Sequence, residues 1–403
     1  MITDSKEFST FLENLKGKSS AEIGLFIGYT NLEKSYIYMQ ANAPTIEISS
    51  HKNISPLLSC PLTVPETTYA DWILEYAKQL SRVLPGGLEI LGIFLVSEDD
   101  ISLESFLGFP EGLLNLLVDL NSEVLEKDSL IVFHFAIQSQ KTTAKIIDLK
   151  NKIISSPELK LATVPKLEEV RCFIKTSLEA AEEENSHIII QQIIREWGNQ
   201  LKNNVFSIDG QTKADIAIGS LKTEKNYHVA EIYSSAPGFC TNSNAPRIRV
   251  QGYIESRVLV HPKSTIKEAR EVVIKDLLFS LKNRFEIISE EIPLQENPFL
   301  NTPVKFVSQL PRRAFFNLNN GCILSSYGTT SQDKDFIQAY ATAISSAKLS
   351  YTESREFHLK VDSPLEIEKA EEKKDQIENM RFMIILAVIF AVLLVSFLIK
   401  AYR

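Results

Sequence analysis

The sequence predicts two mixed α/β domains followed by a charged stalk and one C-terminal transmembrane helix. Three observations lead to this fold class. An uncharged apolar segment occupies residues 382–399, near the end of the 403-residue chain. Before it, short apolar runs rich in strand-forming residues alternate with amphipathic helical patterns, which is typical of mixed α/β proteins. The length of this part, about 380 residues, is enough to bury the cores of two domains.

The domain boundaries follow from changes in composition along the chain. We assign residues 1–155 to the first α/β domain and residues 156–360 to the second. Residues 361–380 are dense in Glu and Lys and form the predicted charged stalk. Residues 381–400 form the predicted transmembrane tail anchor.

The first domain is predicted to contain two hairpins, a central strand and three helices. In chain order these are a helix over residues 8–15, strands over 22–29 and 35–42, a helix over 69–83, a strand over 88–96, a helix over 113–125, and strands over 130–137 and 143–148. Residues 88–96 are almost continuously apolar, which indicates a strand buried on both faces. Pro85, Gly86 and Gly87 end the preceding helix and permit a tight reversal.

The second domain is predicted to combine short strands with three helices. The helices cover residues 188–203, 265–288 and 335–347, and the strands cover residues 169–175, 205–208, 214–218, 228–233, 247–260, 305–307 and 322–327. The last two strands are expected to close the sheet of this domain. An acidic run over residues 179–184 is interpreted as a solvated lead into the first of these helices. Ser264 is expected to cap the second helix, with Glu268 placed for a capping contact.

The apolar segment is the candidate site that the sequence marks most clearly. As a helix it would span roughly 27 Å, close to the hydrocarbon thickness of a bilayer. Arg381 and Lys400 flank it, and such side chains suit the two membrane interfaces. The alternative is a buried core helix, but a core helix is rarely apolar all round. The segment consists of Phe382, Met383, Ile384, Ile385, Leu386, Ala387, Val388, Ile389, Phe390, Ala391, Val392, Leu393, Leu394, Val395, Ser396, Phe397, Leu398 and Ile399.

The position of this segment predicts how the chain meets the membrane. Residues 400–403 alone follow it, so the segment would insert after release from the ribosome. The N-terminal residues show no basic region followed by an apolar run, so no signal peptide is predicted. We therefore expect a single-pass membrane protein whose body faces the cytosol.

Composition argues against several classes of function. The chain has 4 cysteines, and none is part of a Cys-x-x-Cys pair. Neither a disulfide framework nor a zinc ribbon is therefore expected. The formal net charge is -8, and no Lys/Arg cluster is interleaved with aromatic residues, so nucleic acid is not expected as a partner.

Candidate catalytic and metal-binding groups are sparse in this sequence. The 6 histidines are too far apart for a His-x-His or His-Glu-x-x-His zinc site, and we expect no metal or cofactor. His134 alternates with apolar residues in a predicted strand and is expected to be packed. The alternative to a non-catalytic protein is a cysteine hydrolase centred on Cys240, with His228 or His261 as its base.

The order of elements and the strand that begins at Glu22 resemble the MPN (Jab-type) domain of deubiquitinases and proteasome-lid proteins. In that family a catalytic Glu precedes a Gly-Leu strand, and a His-x-His-Pro motif follows a later strand. Here residues 92–100 read Gly-Ile-Phe-Leu-Val-Ser-Glu-Asp-Asp and contain no His. A zinc site with an activated water needs those imidazoles. The resemblance therefore implies an inactive MPN-like domain, of the kind that pairs with an active partner.

A second resemblance covers nearly the whole chain. Its most distinctive piece is the run Ser81-Arg-Val-Leu-Pro-Gly-Gly-Leu88. The other pieces are Gly24-Leu-Phe-Ile-Gly28, Asp71-Trp72, Ile90-Leu-Gly-Ile-Phe94, Gly252-Tyr-Ile254, Lys267-Glu-Ala269, Lys275-Asp276 and the terminal apolar segment. In this order the pieces resemble the odorant response abnormal protein 4 family.

This resemblance implies a non-catalytic, tail-anchored adaptor of the endoplasmic reticulum. Members of the family are associated with the folding or trafficking of a subset of G-protein-coupled receptors, and with recruiting a protease for a ubiquitin-fold modifier to the membrane. The expected partners are therefore the lipid bilayer, such receptors and such a protease. A vesicle-tethering protein is a further alternative, but it would need long heptads before the span, and residues 364–380 are too short for them.

Overall fold

Three sheets with helices packed against them make up the described part of the molecule. Apart from short gaps, a computed structural model describes residues 2–43, 66–98, 127–181, 186–233, 247–291 and 306–357, and the single residues 100, 118 and 120. The mixed α/β class predicted from the sequence is confirmed.

The first sheet contains the two predicted hairpins. Its strands are β1 (Ile2–Thr3), β2 (Glu22–Asn31), β3 (Lys34–Asn42), β4 (Glu89–Ser97), β5 (Ser129–Ala136), β6 (Lys141–Asp148), β7 (Ile153–Ser155) and β8 (Lys160–Leu161), in the order β7-β6-β5-β4-β2-β3-β1-β8. The antiparallel pairs β2–β3 and β5–β6 confirm both hairpins. The central strand β4 lies antiparallel to β2 and parallel to β5.

Helices cover both faces of this sheet around β4. On one face, α1 (Ser5–Lys16) places the Phe11 ring 6.0 Å from that of Phe26 and 5.3 Å from that of Phe94. On the other face, α2 (Glu66–Val83) buries its apolar side. β4 is therefore buried on both faces, as predicted. The helix predicted over residues 113–125 lies almost entirely outside the described residues.

The second sheet is organised by one long antiparallel pair. Its strands are β9 (Glu168–Ala181), β10 (Val205–Ile208), β11 (His228–Tyr233), β12 (Arg247–Val260) and β13 (Phe306–Gln309), in the order β10-β11-β9-β12-β13. β9 and β12 pair along all 14 residues of each strand. Helices α3 (Ser186–Asn203) and α4 (Ile266–Glu291) share one core with this sheet, and the apolar stripe predicted for α4 lies in that core.

Two predictions about the strands of this region are wrong. β9 continues through residues 179–181, which pair with β12 instead of forming a solvated lead into α3. Cross-strand pairing with a strand of equal length thus outweighs the local acidic composition. Residues 214–218 do not form a strand either. A 3₁₀ turn begins at Ile218 and is closed by hydrogen bonds from Ser220 N to Ala217 O and from Leu221 N to Ile218 O. The N–H groups of Ile218 and Gly219 donate to the carbonyl oxygens of Ser264 and Pro262, which fixes this turn to the loop before α4.

The cap of α4 also differs from the prediction. Thr265 N donates to Glu268 Oε2 at 2.8 Å, and Glu268 N donates to Thr265 Oγ1 at 3.2 Å. This reciprocal capping box makes Thr265, rather than Ser264, the N-cap residue. Ser264 is buried with its Oγ 3.1 Å from Tyr29 Oη, so it connects the start of the helix to β2.

The C-terminal region forms a third sheet, which the sequence analysis does not predict. Its strands are β14 (Arg312–Asn317), β15 (Ile323–Gly328) and β16 (Ser350–Thr352), in the order β15-β14-β16, and α5 (Lys334–Ser345) follows β15. Strands over residues 305–307 and 322–327 are predicted in one sheet, but β13 joins the second sheet and β15 the third. β14 is not predicted, because two arginines precede its short apolar run over residues 314–316.

The third sheet shares a core with the first. Phe315 and Leu324 lie in the same buried cluster as Leu80 of α2. The hydroxyl of Tyr76 in α2 donates a hydrogen bond to the carbonyl oxygen of Ile344 at 3.0 Å. The N-terminal and C-terminal parts of the chain are therefore in contact, and the domain boundary near residue 155 stays a prediction.

The predicted membrane anchor is not tested by the structure. Within the described ranges, no helix is both long and apolar enough to cross a bilayer. The predicted stalk over residues 361–380 and the predicted span over residues 382–399 lie outside those ranges. Both therefore stay predictions.

Candidate functional site

The alternative of a cysteine hydrolase involves Cys240 as the nucleophile and His228 or His261 as its base. Cys240 lies outside the described residues. His228 is buried in β11, and its Nδ1 lies 2.6 Å from Asp209 Oδ2. His261 follows β12, where its ring stacks on that of Tyr29 at 6.3 Å and its Nδ1 accepts a hydrogen bond from Lys263 N. The structure thus places a carboxylate beside His228, as a base with an orienting partner would need.

Glu22, which corresponds to the catalytic Glu in the resemblance to MPN domains, begins β2. It pairs with Val96 of β4, and its Oε2 accepts a hydrogen bond from Asn42 Nδ2 at 3.4 Å. In the part of the chain that the structure describes, no group of three His, Cys, Asp or Glu side chains is arranged to hold a metal ion.

His134 is packed inside the first sheet, as the sequence predicts. It is fully buried in β5, and its Nε2 lies 2.6 Å from the Oγ of Ser97, which is also buried, at the end of β4. Burial lowers the pKa of this imidazole below its ordinary value. The neutral form is therefore favoured in the folded protein.

A cluster of charged side chains lies inside the molecule where the second and third sheets meet the loop between α2 and β4. Each side chain is at most 3% exposed, and the cluster balances three carboxylates with three guanidinium groups. We call it the buried charge cluster, and its members are Glu255, Arg257, Asp276, Arg284, Arg313 and Glu356.

Asp276 connects α4 to β12, to β14 and to the loop between α2 and β4. Its carboxylate accepts hydrogen bonds from Arg313 Nη1 at 2.8 Å and from Ser256 Oγ at 2.6 Å. It also accepts one from the N–H of Gly86 at 2.9 Å, in the loop between α2 and β4. Arg313 donates to the carbonyl oxygen of Leu84 in the same loop at 3.3 Å. The distinctive run over residues 81–88 is therefore fixed to the C-terminal half of the chain.

Glu356, close to the end of the described residues, binds α4, β12 and β14. Arg284 Nη2 donates to its Oε1 at 2.7 Å, and Arg284 Nη1 donates to its Oε2 at 2.9 Å. The N–H groups of Glu255 and Arg313 donate to the same two oxygens at 2.6 and 2.8 Å. A carboxylate with four such bonds has its acceptor sites filled.

Glu255 and Arg257 complete the cluster on β12. Arg257 Nε donates to Glu255 Oε1 at 2.8 Å, and the guanidinium group lies 4.4 Å from the centroid of the Phe315 ring. Glu255 Oε2 accepts a hydrogen bond from Arg355 N at 2.7 Å. The second sheet is thus joined to the turn that ends the described chain.

Burial and neighbouring carboxylates shift the pKa values of these arginines in opposite directions. Burial lowers the pKa of Arg257, and Glu255 offsets only part of this effect. Burial also acts to lower the pKa of Arg313, but Asp276, Tyr327 and Glu356 together outweigh burial, so that this pKa is raised. A guanidinium group stays charged in either setting. Removing one partner of a buried pair costs about 3–5 kcal/mol, because it leaves the other charge uncompensated.

The arrangement of the cluster is suited to architecture rather than to proton transfer. A general base needs a lone pair that faces a substrate. The carboxylates of Asp276 and Glu356 instead accept hydrogen bonds from guanidinium groups and backbone N–H groups of α4, β12, β14 and the α2–β4 loop. What they do is hold α4, β14 and the α2–β4 loop in one arrangement.

Sequence reasoning did not identify this cluster, although two signals point to it. In β12, the polar triplet 255–257 lies within residues 254–260, all of which are buried. In α4, Asp276, Ser280 and Arg284 recur at helical spacing and are buried beside the apolar stripe. Charged residues at buried positions are nearly always paired. Their partners, however, lie far away in sequence.

Comparison with known proteins gives a consistent result over most of the chain. The family model described as "Odorant response abnormal 4-like" matches residues 24–344. A human protein named "Protein odr-4 homolog" is 24% identical over 352 residues, which are 77% of this chain and 74% of the human protein. A protein of the same name from Dictyostelium discoideum is 23% identical over 291 residues, 68% of this chain and 62% of that protein.

Similarity to solved structures is weaker. The crystal structure of UfSP from C. elegans aligns with a TM-score of 0.45 at 7% identity, over 86% of this chain and 56% of that chain. A likeness of this size is too distant to establish a shared fold.

Proposed function

Because the chain belongs to the odorant response abnormal 4-like family, we propose that it is a non-catalytic adaptor anchored to the endoplasmic reticulum membrane by residues 382–399. The observation that carries this proposal is the buried charge cluster, whose charged groups bind one another and the backbone. In the interior that the structure describes, these charged groups therefore hold elements of the fold together. An adaptor of this kind would act through its binding surface and its location in the cell.

The partners that we propose come from the family. They are a subset of G-protein-coupled receptors, whose folding or trafficking the protein assists, and a protease for a ubiquitin-fold modifier, which it recruits to the membrane. The body faces the cytosol in this proposal. Support comes from the family match over residues 24–344 and from the apolar segment near the end of the chain.

Replacing the anchor tests this proposal. In cells lacking the protein, the chain without residues 382–403 should be recovered in the soluble fraction and should fail to restore receptor delivery to the surface. The same chain carrying the tail anchor of an unrelated endoplasmic reticulum protein should restore it. Full activity of the truncated chain, or none with the substituted anchor, would contradict a role that depends on location.

A second candidate function is a cysteine hydrolase that uses Cys240. The contact between His228 Nδ1 and Asp209 Oδ2 favours it, because this pair has the form of a base and its orienting carboxylate. Against it, His228 is only 2% exposed. The full chain should leave a modifier–amide substrate uncleaved, and Cys240→Ser should behave like the unaltered protein in the cell assay. Cleavage that disappears in Cys240→Ser would favour the hydrolase.

A further inference from the structure

A groove of about 880 Å³ lies between α3 and α4. Its apolar part is formed by Ile194 of α3 and by Ile274, Leu278 and Phe279 of α4, which are buried or half-buried. The lysines around it, in contrast, are exposed. The α3–α4 groove therefore has an apolar floor and a charged rim.

The rim is strongly cationic. It carries one carboxylate, Glu271, and five cationic side chains, which are Lys202, Lys267, Arg270, Lys275 and Lys282. This excess of positive charge contrasts with the formal net charge of -8 for the whole chain. It is a local property of this surface rather than a consequence of composition.

Intramolecular pairing accounts for only part of this charge. Arg270 Nη2 donates to the carbonyl oxygens of Lys202 and Asn204 at the end of α3, at 2.5 and 3.0 Å. Lys282 lies 3.9 Å from Glu286, which also pairs with Arg82. Among the residues that the structure describes, no carboxylate lies within ion-pair distance of Lys267 or Lys275. These two ammonium groups are therefore available to a ligand.

We propose that the α3–α4 groove binds an acidic, amphipathic segment of a partner protein. Carboxylates of the segment would pair with Lys267 and Lys275, and apolar side chains on its other face would fill the floor. An amphipathic helix laid into a groove is a recurrent mode of recognition that uses these two features together. The inference uses described residues alone and goes beyond the proposed adaptor role, because it assigns a binding site and the chemistry of its ligand.

The shape of the site favours a peptide over a lipid surface. A membrane is contacted by side chains that protrude from a protein, whereas these apolar side chains are recessed between two helices. The exposed lysines would act mainly on the association rate and on its salt dependence. The apolar floor would supply most of the affinity.

Binding can be measured by fluorescence anisotropy with the full chain in detergent. The probe is a fluorescein-labelled helical peptide of Glu and Leu with about fifteen residues, long enough for four helical turns. We expect saturable binding that weakens as salt is added. The double variant Lys267→Glu and Lys275→Glu should lower the affinity at least about tenfold, and Phe279→Ala should lower it without removing the salt dependence.

The matched control is Lys213→Glu with Lys222→Glu, which makes the same change in net charge at exposed lysines outside the groove. This control should bind the peptide as the unaltered chain does. Circular dichroism should show that each variant is folded. Failure of the unaltered chain to bind, or equal loss in the control and groove variants, would overturn the proposal. So would binding to phosphatidylserine vesicles, but not to the peptide, that depends on Lys267 and Lys275.

Discussion

At the scale of single residues, Asp276 joins parts of the fold that are far apart in the chain. Its carboxylate binds the N–H of Gly86, the hydroxyl of Ser256 and the guanidinium group of Arg313. These partners belong to three elements that are far apart in the chain. Among the groups that raise the pKa of the fully buried Arg313 against the effect of burial, Asp276 is also the largest contributor.

Asp276→Asn should therefore destabilise the protein strongly. The amide is close to the carboxylate in shape but cannot neutralise Arg313, so the free energy of unfolding should fall by about 3–5 kcal/mol. Urea denaturation of the full chain, followed by circular dichroism, measures this change.

The control for this change is Asp215→Asn, an identical replacement at an exposed position. It should alter the free energy of unfolding by less than about 0.5 kcal/mol. Similar stabilities of the two variants would show that the buried pair contributes little. If the effect of Asp276→Asn comes from the unpaired charge of Arg313, adding Arg313→Met should restore part of the stability.

The buried histidines predict how stability depends on pH. Burial lowers the pKa of His134, and burial together with Lys263 lowers that of His261, both from an ordinary value of 6.5. Below that value the unfolded state binds protons that the folded state does not, so stability should fall as the pH falls. Denaturation midpoints at about pH 7.5 and about pH 5.5 should differ in this direction, and the difference should shrink in His134→Gln. An equal difference in the variant would exclude His134 as its source.

At the scale of elements, the loop between α2 and β4 is the piece that joins the two halves. The N–H of Leu259 donates to the carbonyl oxygen of Gly86 at 2.9 Å, which places the loop directly on β12. Gly87 adopts a φ of 90°, in the region that favours glycine. A Cβ at this residue would lie 1.9 Å from the carbonyl oxygen of Leu259.

Gly87→Ala should therefore lower the free energy of unfolding by much more than the unfavourable backbone conformation alone would. Gly210 offers the matched control, because it also has a positive φ of 76° but nothing lies within 4 Å of its added Cβ. We expect Gly210→Ala to lower the free energy of unfolding by about 1–2 kcal/mol, because alanine disfavours a positive φ. Gly87→Ala should lower it by at least about 3 kcal/mol, because the loop must also move away from β12. Equal losses in thermal or urea denaturation would mean that the close approach to Leu259 is unimportant.

At the scale of the whole molecule, one hydrophobic core contains residues from both the N-terminal and the C-terminal parts of the chain. α2 packs between the first sheet and the layer formed by β14, β15 and α5, and residues of all these elements belong to one buried cluster. The contact between Tyr29 and Ser264 and the buried charge cluster link the same parts through polar groups. Each half therefore completes a surface that the other would leave exposed.

This arrangement predicts that residues 1–155 do not fold independently. Expressed alone, they would expose the face of α2 that packs against Phe315 and Leu324 in the intact chain. We expect broad amide resonances and binding of a hydrophobic dye, in contrast to the full chain. Adding residues 156–357 as a separate polypeptide should restore dispersed resonances. A well-dispersed spectrum from residues 1–155 alone would instead support an autonomous first domain.

The sequence by itself determined the local elements, because hydrophobic periodicity and turn residues act over short distances. It predicts both hairpins of the first sheet, the doubly buried strand β4 and the full extent of β12, and the structure confirms each of them. It also identifies the family, because the resemblance carried by its short motifs agrees with the family model that matches residues 24–344.

Only the tertiary structure decided where long-range partners meet. The assignment of β13 and β15 to different sheets, the extension of β9 along β12, and the meeting of Asp276 with Gly86 and Arg313 all join segments far apart in the chain. A charged residue inside an apolar pattern shows that a partner must exist, because an unpaired buried charge is too costly. It does not show which partner, since that depends on how the sheets and helices pack together.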